Sequence, residues 1–162
     1  MRIIIVGPGR AGMSLATAAD EAGHQVVAVV GKSLQQARPA AALVDALPAT
    51  TAGPVPPADL LVIATRDGAI SHVAAELASA PVSVDAAVHL SGLTPVAALA
   101  SLAAAGVATG SFHPLQTLPT PEAGAARLAG AWVGITAEEP LRSTLHRLAE
   151  SHDARPFDVA DH

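Results

Sequence analysis

Arg2-Ile3-Ile4-Ile5-Val6-Gly7-Pro8-Gly9-Arg10-Ala11-Gly12 opens the chain after Met1. Four β-favouring residues, Ile3 to Val6, run into Gly7-x-Gly9-x-x-Gly12, and a helical pattern begins at once. Strand before and helix after is the setting in which this glycine spacing binds a dinucleotide. The first glycine turns the chain tightly off the strand. The second carries no side chain that would block a pyrophosphate, and the third lets the helix pack close to the strand. The helix N-terminus then offers free N–H groups and a partial positive charge to phosphate oxygens. The competing reading is a tight turn with no ligand; position in the chain and flanking pattern favour nucleotide binding.

Beyond the glycines, Ala11, Leu15, Ala18, Ala19 and Ala22 recur at helical spacing, and Gly23 is placed to end the helix. Gln25 to Val30 reads as a buried strand that delivers Gly31-Lys32-Ser33 at its tip. The tip of this second strand distinguishes cofactors. An NAD site usually places an acid there to bind the ribose 2′-hydroxyl. No acid lies between Gln25 and Gln36; Lys32 and Ser33 occupy the tip, with Arg38 further on. A cation and a hydroxyl suit a 2′-phosphate, so NADP is the expected cofactor and NAD the less favoured one. The plain alternative is that Lys32 is a solvated loop lysine.

The rest of the chain keeps alternating. Ser33 to Leu47 reads as a helix interrupted by Pro39, and Pro48 to Pro57 as a loop. Leu60 to Thr65 is a third strand, and Asp67 is placed to cap a helix with Ile70, Val73, Ala74, Leu77 and Ala78 on one face. Val82 to Val88 holds a fourth strand that runs into His89-Leu90-Ser91-Gly92. Thr94-Pro95 reads as N-cap and first residue of the next helix. Val107 to Phe112 is a fifth strand delivering His113-Pro114. Leu115 to Ala126 reads as irregular, and Ala131 to Ile135 as a sixth strand. Thr136-x-x-Glu139 resembles a capping box before a helix carrying Leu141, Leu145 and Leu148; Arg155 to Val159 is a last short strand.

This alternation predicts an α/β fold: a doubly wound, mostly parallel sheet of six to seven strands, with residues 1–162 forming a single dinucleotide-binding domain. Ligands of such sheets bind beyond the carboxyl ends of the strands. The polar segments Gly7 to Gly12, Gly31 to Ser33, Thr65 to Asp67, His89 to Gly92 and His113-Pro114 all fall on that edge. The opposite connections, such as Ala80-Pro81 and Ala105-Gly106, are plain.

Composition narrows the function classes. Hydrophobic residues make up 51% but aromatics 2%, so the core is built of Ala, Val, Leu and Ile. A net charge of −5 argues against nucleic acid as a partner, and no run of like charges marks a membrane patch. No apolar run approaches the ~18 residues of a membrane span, and strand residues directly follow Met1 in place of a signal sequence. Without cysteine there is no disulfide framework and no thiolate nucleophile. The expected setting is cytoplasmic. The seven histidines show no metal-ligand spacing, so no metal is expected.

The segments Gly7-Pro8-Gly9-Arg10-Ala11-Gly12, Asp59 to Asp67, Val88-His89-Leu90-Ser91-Gly92 and Gly110 to Thr117 occur in an order that resembles one family. It is the Rossmann-fold oxidoreductases whose C-terminal half is a domain of unknown function. These are similar to pyrroline-5-carboxylate reductase, ketopantoate reductase and the 6-phosphogluconate dehydrogenase group. His113-Pro114 after a strand also resembles prephenate dehydrogenases. Arg66 departs from the small residue or Pro usual before Asp67. The family continues into a helical domain, typically about a hundred residues. The resemblance therefore implies that this chain is the cofactor domain alone, incomplete for catalysis, with a small-molecule substrate the family does not name. It leaves room for a homodimer.

The candidate cofactor contacts are Gly7, Pro8, Gly9, Arg10, Ala11, Gly12, Gly31, Lys32, Ser33, Ala64, Thr65, Arg66 and His89. His113 and Ser91 are the candidate catalytic residues. His113 reads equally as a proton donor or acceptor and as a loop histidine bonded to a backbone carbonyl; Ser91-Gly92 reads also as a turn. Three functions fit: the cofactor half of an NADP-dependent oxidoreductase, a non-catalytic dinucleotide-binding or sensing module, and a Rossmann-like interaction domain without ligand.

Overall fold

A computed structural model describes residues 1–161. The strands are β1 (Arg2–Val6), β2 (Gln25–Gly31), β3 (Leu47–Thr50), β4 (Ala58–Ile63), β5 (Val84–His89), β6 (Ala108–Pro114), β7 (Trp132–Ala137) and β8 (Arg155–Asp158). They form one eight-stranded sheet in the order β3-β2-β1-β4-β5-β6-β7-β8. All neighbours are parallel except β6 and β7, so the expectation of a mostly parallel sheet holds. The order reverses between β1 and β4, which sets the switch point where such sheets bind ligands.

The eighth strand corrects the expected count. Leu47–Thr50 lies in the stretch read as a loop. Pro48 weakens the strand signal because it cannot donate to a ladder, but β3 sits at the sheet edge and pairs only with β2, where that loss is tolerated.

The helices are α1 (Arg10–Glu21), α2 (Leu34–Ala42), α3 (Ile70–Ser79), α4 (Ala100–Ala104), α5 (Pro121–Leu128) and α6 (Leu141–Ser151). Alternation along the strands sends side chains to opposite faces. Ile3, Ile5, Leu60 and Val62 join Met13 of α1, Leu128 of α5 and Leu145 and Leu148 of α6 in one core. Ile4, Val6, Leu61 and Ile63 meet Ile70, Ala74 and Leu77 of α3 and Leu102 of α4 in the other. Opposite the Ile3–Ile4 step of β1 the register skips Val27 of β2, so Val26 and Val29 share the first face while Val27, Ala28 and Val30 share the second.

Helix α5 was not visible as such; its region was expected to be irregular. Thr120 caps it by accepting a hydrogen bond from Ala123 N at 3.2 Å, and Pro121 follows in the first turn. α5 packs on α1 so closely that a Cβ at Gly124 would strike Ser14 Oγ and Cβ. Ser14 is itself buried and donates to Arg10 O and Thr120 O, at 2.7 and 3.2 Å.

Three expected caps are replaced. Asp67 lies inside a 3₁₀ turn, Asp67–Ala69, and α3 starts without a side-chain cap. The element after Thr94-Pro95 is another 3₁₀ turn, Val96–Leu99, whose first N–H donates to Asp161 at 3.0 Å. Thr136 belongs to β7 and donates to Val159 O at 2.9 Å, while the Glu139 carboxylate accepts from Ser143 N at 3.3 Å and from Arg142 at 3.0 Å. Thr136 is claimed by its place in β7 and by Val159 O, Thr94 is bonded locally by Ser91, and Asp67 is taken up in the 3₁₀ turn that precedes α3. Among the described residues no helix is long and apolar enough to cross a membrane.

Candidate functional site

The glycine turn sits at the switch point. Gly7 N donates to Val30 O at 2.9 Å and Ala64 N to Val6 O at 2.7 Å, so β1 joins both neighbours to its very end. Gly7 has φ +102°, a backbone that L side chains avoid, and an added Cβ would lie 2.7 Å from Ala64 O. At Gly12 a Cβ would strike Gly7 O and come within 2.9 Å of Ala64 Cβ. Gly9 differs: no heavy atom lies within 4 Å of its Cβ position. It is the N-cap of α1, with no side-chain cap bond, and Arg10 beside it is exposed. Two glycines thus serve close packing, and the middle one keeps the approach to the α1 N-terminus open. Pro8 and Ala11 complete the turn, half-buried on either side of it.

At the tip of β2, Gly31 is its last residue, and a Cβ there would meet Ser33 O at 3.2 Å. Ser33 caps α2 by accepting from Gln36 N at 3.3 Å. The Lys32 backbone N–H donates to Gln36 Oε1 at 3.3 Å, and its exposed side chain enters no salt bridge among the described residues. Ala64, Thr65 and Arg66 follow β4 beside the glycine turn; Ala64 and Thr65 are half-buried and Arg66 exposed.

His89, Ser91 and His113 separate into three roles. His89 ends β5 wholly buried, with no partner for either ring nitrogen among the described residues. Burial, the largest cause, holds its pKa below the ordinary histidine value against smaller raising effects from Pro95, Asp161, Asp67 and Ser91. It closes β5 at the carboxyl edge of the sheet, where the sequence placed it, with its side chain buried. Ser91 Oγ accepts from Leu93 N at 3.2 Å and Thr94 N at 3.1 Å, and donates to Thr94 Oγ1 at 2.9 Å. Its hydroxyl builds a turn.

His113 Nδ1 lies 2.9 Å from Leu90 O. A carbonyl only accepts, so Nδ1 carries a proton, and in the neutral ring Nε2 presents a lone pair. The ring lies flat against Gly92, where a Cβ would strike Nε2, Cδ2 and Cε1. Gly92 was legible only as a turn residue; its contact with His113, which lies on β6, could not be read from spacing. Beside His113 opens a cleft of about 290 Å³ between the β5–β6 ends and β7–β8, lined also by Ser91, Ser111, Thr136, Phe157 and Asp161. The sequence reading missed Ser111, Thr136 and Phe157, which only the register of β6, β7 and β8 gathers, and Asp161, which follows β8 and bonds Val96 N.

Residues 1–114 match the family described as Rossmann-like domain. No curated protein matches the chain. Among solved structures, a Bacteroides fragilis protein provisionally described as an NADP oxidoreductase is 23% identical, with TM-score 0.81 over 98% of this chain and 60% of that one. Prephenate dehydrogenase of A. aeolicus, bound to hydroxyphenyl propionate and NAD+, is 15% identical, with TM-score 0.74 over 99% of this chain and 60% of that one. The 1-pyrroline-5-carboxylate reductase of Streptococcus pyogenes is 15% identical, with TM-score 0.72 over 98% of this chain and 58% of that one. At such identities the likeness is one of fold. The chain spans 58–60% of the length of these three structures.

Proposed function

We propose, from the premise that this chain belongs to the Rossmann-like domain family, that it binds NADP and serves as the cofactor domain of an oxidoreductase acting on a small molecule. The observation that carries this reading is the unlike surroundings of the three glycines. A merely structural turn would have no use for the open space at Gly9, while Gly7 and Gly12 are hemmed in by backbone. The residues present fit the group. Gly9, Arg10 and the free N–H groups of α1 would hold the pyrophosphate, and Lys32 and Ser33 a 2′-phosphate.

When bound, NADPH supplies a hydride. The chain's own contribution is to orient it and to hold a proton acceptor, His113 Nε2, at the cleft. In this reading a further domain or a second copy supplies the other wall that excludes water. The second reading is a binding or sensing module. It is favoured by Ser91, whose hydroxyl is spent on its turn, and by His113, which has no carboxylate partner among the described residues.

Fluorescence titration of the protein with NADPH and NADH tests the proposal. Saturable binding, tighter for NADPH, is expected. Equal failure of both nucleotides would overturn it. Binding without NADPH oxidation, in the full-length protein and against a panel of keto acids and imines, would favour the module.

A further inference from the structure

The polar groups around the cleft beside His113 can all accept hydrogen bonds. With Nδ1 committed to Leu90 O at 2.9 Å, the neutral His113 ring offers Nε2 as a lone pair. Asp161 gives one carboxylate oxygen to Val96 N at 3.0 Å and, among the described residues, keeps the other. Ser111 lines the cleft and enters no side-chain hydrogen bond among the described residues, so its hydroxyl can accept as well as donate. No Lys or Arg is among the described residues that line it, and the rest of the lining includes Phe157 and Val159.

We propose that this cleft is a binding site for a compact organic cation, a protonated amine carrying a small alkyl group. An ammonium head has N–H donors and no acceptor, the complement of a ring nitrogen, a carboxylate and a hydroxyl. A carboxylate head of the same size would set negative charge against Asp161 with no cation to offset it. The alkyl stem lies against apolar lining, where the Phe157 ring also attracts positive charge. The volume, about 290 Å³, is at the small end of ligand pockets and limits the stem to a few carbons. This preference is opposite in charge to the hydroxyphenyl propionate held by the A. aeolicus enzyme. It stands whether or not the glycine turn binds NADP.

The test uses two ligands that differ only in the head group, isobutylammonium and isovalerate, titrated at constant ionic strength into the ¹⁵N-labelled protein. Isobutylammonium should shift the amides of Gly92, Ser111, Gly134 and Asp161 saturably. Asp161→Asn should weaken it roughly tenfold, the effect of losing a charge-assisted contact. Asparagine keeps an oxygen for Val96 N, so the local structure is retained. Ser111→Ala, a second variant that leaves the carboxylate in place, should weaken binding by a smaller factor. The proposal is overturned if isovalerate binds as tightly as isobutylammonium. It is equally overturned if neither substitution changes the ammonium affinity, or if no cleft amide responds.

Discussion

Substituting the glycines of the first turn separates packing from ligand binding, and the structure gives the sign of each effect. Gly12 faces Gly7 O, Ala64 Cβ and Ile5, with Ala64 Cβ 2.9 Å and Ile5 Cγ2 3.1 Å from an added Cβ. The nearest obstacle is a backbone carbonyl, which cannot rotate away. Overpacking of this kind costs about 1–3 kcal/mol, and the backbone clash places Gly12→Ala at the upper end. Alanine regains about 1 kcal/mol over glycine in a helix interior. The net is a loss of about 2 kcal/mol, a fall in Tm of roughly 4–8 °C for a domain of this size.

Gly9→Asp should do the reverse. Its Cβ meets nothing within 4 Å, and Gly9 is the N-cap of α1 at φ −86° and ψ −177°, a conformation aspartate favours there. Stability should rise by a few tenths of a kcal/mol, about 1 °C in Tm. The same carboxylate would occupy the phosphate approach and abolish NADPH binding. Urea denaturation and NADPH titration of both variants form the assay. If Gly9→Asp lost more than about 1 kcal/mol, or kept wild-type affinity, the roles given to the glycines would be wrong.

Lys32→Ala should weaken NADPH more than NADH by roughly 1–3 kcal/mol, measured by paired titrations; equal effects would return Lys32 to the solvent. Gly92→Ala should push the His113 ring off Leu90 O, and ¹⁵N imidazole spectra would show Nδ1 losing its fixed proton; an unchanged tautomer would refute the contact. His89 and His152 are buried with pKa values pushed below the ordinary histidine value of about 6.5, chiefly by burial, so the unfolded chain binds more protons on acidification. Stability is then full above that value and declines as pH falls below it, by up to roughly 1.4 kcal/mol per pH unit for each group. Denaturant melts at pH 7.5 and 5.5 would measure this, and His152→Phe should flatten the slope.

The glycine turn, the alternation and the sides of α3 were legible because each is written in adjacent residues. Gly7, Gly9 and Gly12 need only their own spacing, and Ile70, Ala74 and Leu77 only a helical period. What escaped depends on partners far along the chain. The cap of the turn at Val96 comes from Asp161, 65 residues later, and no local pattern could nominate it. Helix α5 is the exception: Thr120-Pro121-Glu122 is a visible start signal, hidden by the neighbouring prolines and threonines. Of the candidate site, the place of the glycine turn at the end of β1 was readable, whereas the cleft required the register of three strands.

Reversing β7 has a stereochemical consequence. Right-handed crossovers between parallel strands fix which side of a sheet each connecting helix lands on. Moving outward from β1 through β2, they deposit α1 on one side; moving outward the other way from β4 to β6, they deposit α3 and α4 on the opposite side. β7 and β8 continue outward but point backwards, so the same handedness returns α6 to the side of α1. Among the described residues the back of β7 and β8 therefore receives no connecting helix, while β6 still meets the Val96–Leu99 turn and α4, and it is beside this surface that Ser111, His113, Thr136 and Phe157 come to share a cleft. A single change of strand direction, made once between Pro114 and Trp132, leaves room for that cleft without deleting a helix.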